Sequence, residues 1–247
     1  MLPIASKAGL LFFCLYAGFS RINWLNRSRD RGRLLQELVL IAHRSVPLVM
    51  LIGLFAGAII AWQAAYQFRG LVSLNLLGGQ SARIIVMEMA PVMTAMVIAG
   101  RIVAPFSSSL ASKIDSGQAD ALSTLGIDPW RIFFMPHQLA LTISLPLLSI
   151  FSNATGIIGC WYVSEFFLDI PAETFWTSIQ DFFNPIDLVG GLIKSLCFGL
   201  FMGMISGYCG FYSGYGSIGI RDAGTRAFVY SALMILSTDF WLWFLLY

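Results

Sequence analysis

Charge is scarce in this sequence: 11% of its 247 residues are Asp, Glu, Lys or Arg, against roughly 25% in a soluble globular domain. That deficit excludes a large water-exposed catalytic domain, a nucleic-acid-binding domain and a disordered polar tail. Cysteine is equally sparse. Cys14, Cys160, Cys197 and Cys209 form no CxxC pair, and each sits in or beside an apolar stretch. A thiol there acts as a small hydrophobe rather than a zinc ligand or half of a disulfide. The two histidines, His43 and His137, have no partner at a spacing that would hold a metal or activate a nucleophile. Both read as packing residues at membrane boundaries. No GxxxxGKS/T loop is present, so the chain is not expected to hydrolyse nucleotides. The glycine-rich run Gly214–Gly219 follows an apolar segment rather than a strand, which makes it a turn and not a dinucleotide site. No cofactor and no nucleic-acid partner are expected.

What the chain has instead is apolar length. Hydrophobic residues make up 57% of it, and the mean hydropathy is +0.77. A bilayer crossing takes about 20 predominantly apolar residues, and five stretches qualify: Ser45–Phe68, Ala82–Ala104, a span inside Ile132–Ser164, Leu188–Tyr212 and Ala227–Tyr247. The fold expected is an all-α integral membrane protein with five transmembrane helices. Residues 45–247 form the membrane domain and residues 1–44 a cytoplasmic, interfacial helical region. The run Ala8–Phe19 superficially resembles a signal peptide. It lacks a small-x-small cleavage site and is followed by a dense basic segment, so it reads as retained and lying in the interface.

Basic residues orient the spans. Lys7, Arg21, Arg27, Arg29, Arg31, Arg33 and Arg44 precede the first, Arg101, Lys113 and Arg131 lie in the second connection, and Arg221 and Arg226 in the fourth. The opposite side receives Arg69 and Arg83, together with the loop 164–187, which holds Glu165, Asp169, Glu173, Asp181 and Asp187 and no base. The positive-inside rule then places the N-terminus in the cytoplasm and the C-terminus outside.

Small residues recur every four positions at Gly53, Gly57, Ala61 and Ala65, and again at Gly199, Gly203 and Gly207. Such stripes let helix backbones approach closely in lipid, within one chain or between two. Ionisable residues inside spans are expensive and face protein or water. Glu88, three residues before the helix-kinking Pro91, reads as a polar element of a substrate cavity or as a shallow carboxylate reaching the interface. At about 1.5 Å per residue, Lys194 lies roughly 9 Å inside the outer end of span four and Asp239 roughly 12 Å inside that of span five. Matched depth and opposite sign predict an intramembrane ion pair between Lys194 and Asp239. Between spans two and three, a polar, helix-permissive segment ends at Gly126 with Pro129 beyond, as a helix C-terminus should. A short helix there, about 116–126, would be a docking element for a soluble partner.

Several runs together resemble the MlaE-type permeases of ABC transporters that work with MCE-domain proteins in lipid traffic. They are Glu88-Met-Ala-Pro91-Val92 through Ala99-Gly100-Arg101, Asp120-Ala121-Leu122 with Gly126-Ile127-Asp128-Pro129, Pro146-Leu147-Leu148, Ile193-Lys194-Ser195, Phe198-Gly199 and Asp239-Phe240. The sequence departs from that pattern at Met87, where the family has Arg, and at Ala111–Asp115. The resemblance implies a homodimeric permease of the inner membrane, with a separate cytoplasmic ABC ATPase docked on the coupling helix through Asp120, Leu122, Leu125, Gly126, Asp128 and Pro129. It implies a periplasmic MCE-domain protein on the outer face. Membrane phospholipid would occupy a cavity lined by spans one, two and five, with Gly57, Gln63, Glu88 and Pro91 facing it. No catalytic residue and no metal are implied. An intramembrane lipid-modifying enzyme would need a paired nucleophile and base or two apposed acids; a scaffold subunit would assemble without bound lipid. Both remain open on the residues alone.

Overall fold

Three prolines shape the backbone of this molecule. A proline inside a helix lacks an N–H, and its ring collides with the carbonyl four residues back. In the computed structural model, which describes residues 28–68 and 77–246, each of three prolines is preceded by a widened π-turn that relieves this collision. Ala90 donates its N–H to Ile85 ahead of Pro91, Ala104 to Ala99 ahead of Pro105, and Met135 to Trp130 ahead of Pro136. The turns occupy Ile85–Met89, Ala99–Val103 and Trp130–Phe134. They leave two long helices continuous but locally unwound.

The described residues are helical, with no strand. Helix α1 is Ser28–Phe68, α2 is Leu77–Asp115 with two π-turns, and α4 is Trp130–Leu168 with one. Between them lies the seven-residue α3, Gln118–Thr124. The short α5, Ala172–Phe182, precedes α6, Pro185–Phe211, and α7, Gly216–Leu246. Five of these (α1, α2, α4, α6 and α7) are long and apolar enough to cross a membrane. This is the expected all-α, five-span architecture. The expected interfacial helix before Arg27 lies outside the described residues, and α1 runs unbroken through positions 44 and 45.

The chain divides into two compact units. Among the described residues, one is built from Met96–Ser144, Cys197–Thr238 and those up to Ile41; the other from those within Ala42–Ala95, Leu145–Leu196 and those from Asp239. In the second unit, Ile60, Ala61, Ala64 and Ala65 of α1 pack with Ile85, Cys160, Val163 and Phe175 into one buried cluster. The small-residue stripe of α1 is what allows this. A Cβ at Gly57 would run into the backbone of Gly156, and one at Gly53 would sit 2.6 Å from the carbonyl oxygen of Ser152. The stripe therefore joins helices of one chain. Gly78 and Gly79 at the start of α2 seat in the same way against Phe175 and Ser178 of α5, where Gly79 N–H donates to Ser178 Oγ at 3.0 Å.

In the first unit, Gly207 and Gly210 of α6 lie against the Phe134 ring and Leu110, and Trp130 stacks on Phe211 with centroids 3.8 Å apart. Gln138 Nε2 donates to the Leu200 carbonyl at 2.9 Å. His137 is buried, stacked on Phe106 at 3.4 Å, with Nδ1 3.5 Å from Glu37 Oε2. His137 is thus a packing residue, and it also has an acidic neighbour. Its partner stands one hundred positions away in the chain, beyond anything local spacing can reveal.

Candidate functional site

Lys194 is the most consequential side chain in the structure, because it is fully buried and carries a charge. A lone ammonium in an apolar interior is untenable; it persists only where opposite charges meet it. Its side chain is 0% exposed, with Nζ 2.5 Å from Glu88 Oε1 and 3.0 Å from Asp239 Oδ1. The three residues come from α6, α2 and α7. Local backbone explains the meeting. Glu88 sits in the π-turn before Pro91, which re-aims the residues it contains. Gly191, one turn before Lys194, removes the side chain that would otherwise hold α6 away: a Cβ there would strike the Val86 carbonyl and lie 3.5 Å from the Pro91 ring. The glycine and the proline-induced turn thus bring the lysine to the glutamate.

The residues expected to line one lipid cavity do not share a surface within this chain. Gly57 is buried against Gly156, and Pro91 is buried beside Gly191. Glu88 is taken up by Lys194. Gln63 alone is exposed, in an apolar groove of about 460 Å³ on α1 bounded by Phe55, Ile59, Trp62 and Tyr66. At the start of α2 a further pair, Arg83 Nε to Asp187 Oδ2 at 3.1 Å, ties the α2 and α6 N-termini.

The second region of interest is α3 and its flanks. Gly117 enters the helix at φ +73° and Gly126 leaves it at φ +74°, both in the left-handed region that favours glycine. The exit is a complete Schellman closure: Ile127 N–H donates to the Leu122 carbonyl and Gly126 N–H to Ser123, each at 3.0 Å. Asp128 then caps α4, its Oδ1 accepting from Trp130 N–H at 3.1 Å, with Pro129 at the first helical position. Asp120 is exposed, Leu122 is half-buried and Leu125 is 73% exposed. Ile127 adds a second exposed apolar side chain. Every turn of this segment is satisfied locally, so it presents its apolar residues outward without needing a core.

Residues 34–245 match the family described as Permease MlaE. The chain belongs to the MlaE permease family. It is 31% identical over 84% of its length to a probable ABC transporter permease protein of Rickettsia prowazekii, covering 80% of that protein. A probable ABC transporter permease protein of Synechocystis is 29% identical over 88% of this chain and 83% of its own. The chloroplast protein TRIGALACTOSYLDIACYLGLYCEROL 1 of Arabidopsis thaliana is 29% identical over 89% of this chain and 61% of its own. This MlaE-family chain is therefore a multi-pass ABC transporter permease, and an ABC permease works with an ATPase partner.

One link in the permease was not foreseen from its sequence. Asp115, the last residue of α2, accepts through Oδ1 from Gly216 N–H at 3.0 Å. It thereby pins the start of α7 to the approach to α3. Gly216 sits at φ +72°. The glycine run was legible as a turn, but nothing in the sequence pairs positions 101 apart.

Proposed function

We propose that this permease moves phospholipid between the inner membrane and a periplasmic MCE-domain partner, as a homodimer driven by a cytoplasmic ATPase docked on α3. The observation that carries the lipid reading is the α1 groove, an apolar trough of about 460 Å³ lined by Phe55, Ala58, Ile59 and Trp62, with Gln63 and Tyr66 its only oxygen-bearing side chains. A groove of that character on a membrane-crossing helix suits acyl chains and offers no purchase to a polar solute. The name of the Arabidopsis relative, which contains a galactolipid, supports the same substrate class. In a homodimer two such grooves would enclose a central cavity.

The mechanism is mechanical. ATP-driven approach of two ATPases would move the α3 segments, and the Schellman turn with the Asp128–Pro129 cap would pass that motion into α4 as a rigid body. Asp120, Leu122 and Leu125 would form the contact. The charge distribution supports a cytoplasmic N-terminus and a periplasmic C-terminus. Mass spectrometry of lipids copurifying with the intact complex tests the substrate: phospholipid at stoichiometric levels is expected. Full assembly with no bound lipid would leave a scaffold, and altered lipid would point to an intramembrane enzyme.

A further inference from the structure

We propose a second lipid site on this chain, separate from the α1 groove: a pocket between the end of α6 and the start of α7 that holds one phospholipid of the cytoplasmic leaflet. The pocket encloses about 430 Å³, within the range of small-molecule sites, about 300–1,000 Å³. Its lining is graded. On α7 the lining residues Arg226, Tyr230 and Met234 succeed one another away from the turn that holds Ser213 and Gly214, with Ser237 beyond them, and Tyr208 and Ile205 of α6 complete the wall. A cation, then phenolic rings, then aliphatic side chains is the order of a phospholipid read from phosphate to acyl chain, and tyrosines mark the interfacial level in membranes.

Two details favour this occupant. Arg226, Tyr230 and Met234 follow one another at four-residue intervals on α7, so one helix face carries the whole gradient. Tyr208 and Tyr212 repeat the spacing on α6, with ring centroids 5.3 Å apart. Arg226 is only loosely engaged: Nη2 lies 3.5 Å from Asp222 Oδ2, and both side chains are largely exposed. An exposed pair of that length is worth little, which leaves the guanidinium fork able to take a phosphate. The apolar end opens past the exposed Leu233, so acyl chains can run out of the pocket. A soluble anion would use the arginine and nothing else.

The site rests on the topology reading, which puts this turn at the cytoplasmic surface. The test uses the intact permease–ATPase complex in nanodiscs of phosphatidylethanolamine and phosphatidylglycerol, with native mass spectrometry counting phospholipid retained per chain after mild delipidation. The wild type should keep one phospholipid that Arg226→Gln loses, with occupancy falling about tenfold as a charge-assisted contact disappears. Arg226→Lys should restore most of it. Met234→Trp, which fills the apolar end without touching the charge, should lose it too, and guards against a folding failure in the arginine variant. Trp62→Ala in the α1 groove should keep it. Wild-type retention in both Arg226→Gln and Met234→Trp would overturn the proposal, as would loss in Trp62→Ala alone, or displacement by millimolar inorganic phosphate, which would make this an anion site. Ser213→Cys labelled by an impermeant thiol reagent from the outer face would instead overturn the topology, and the lipid count would stand independently.

Discussion

Helices α6 and α7 are consecutive, similarly apolar and similarly long, yet their surroundings differ sharply. Over their most apolar windows, 56% of α6 is buried and only 11% of α7. The cause lies in side-chain size. Helix α6 carries Gly191, Gly203, Gly207 and Gly210, at each of which a Cβ would collide with Val86, Gln138, Phe134 or Leu110. Helix α7 carries Phe240, Trp241, Trp243 and Phe244, all exposed. Lipid tails are as apolar as leucine, so hydrophobicity alone does not drive helices together in a bilayer; close backbone approach does. The glycine helix was drawn into the chain's interior, and the aromatic one kept a face for lipid or for a second copy.

Lys194 is where the contrast can be broken most severely, since it joins α6 to α7 through Asp239. Lys194→Ala should cost about 3–5 kcal/mol, the usual consequence of removing one partner of a buried charge cluster, measured by thermal unfolding in detergent. Were the two residues a simple pair, Asp239→Ala would be the costlier change, because a lone lysine can snorkel to the interface. With Glu88 and Asp239 both on one ammonium, losing the lysine leaves two carboxylates facing each other, and the order should reverse. Wild-type melting temperatures in both variants would show that the cluster carries no net stability.

Next in size is Gly191→Leu. Overpacking against the Val86 carbonyl should destabilise by about 1–3 kcal/mol and loosen the contact of Lys194 with Glu88. A fully stable Gly191→Leu protein would mean that α6 can stand off without loss, and that small residues are not what buries it.

Outside the membrane helices, Leu122→Asp with Leu125→Asp should change permease stability by no more than about 1 kcal/mol, since Leu125 is exposed and Leu122 only half-buried. Copurification of the ATPase should nevertheless fall by an order of magnitude or more, about 2 kcal/mol for a buried interface anchor. Undiminished copurification would move the dock to residues 213–226, which carry the exposed Tyr215 and Ile218.

The smallest effect is expected on the open face of α7. Trp241→Ala and Phe244→Ala should each change stability by no more than about 0.5 kcal/mol, because their side chains meet lipid in both folded and separated states. A loss above 2 kcal/mol that also shifts the protein from dimer to monomer in size-exclusion chromatography would assign this face to the second copy.

The amino-acid sequence by itself determined whatever depends on neighbours in the chain. Apolar run length set the five helices. Gly126, Ile127, Asp128 and Pro129 dictated one helix end and the next helix start through bonds spanning at most five residues. Pro91, Pro105 and Pro136 each follow a π-turn, whereas Pro47 and Pro146 sit in unbroken α-helix, so proline alone did not dictate where the backbone widened. Tertiary structure decided the rest. Matched depth suggested Lys194 with Asp239, but not that Glu88, 106 residues before the lysine, would share the same ammonium. That meeting needs the Gly191 approach and the turn at Ile85–Met89 together. The partners of the glycine stripes, His137 with Glu37 and Asp115 with Gly216 were likewise fixed only on packing. Helical periodicity says which side chains share a face, whereas the identity of the facing helix is settled by which backbones can come close enough to touch.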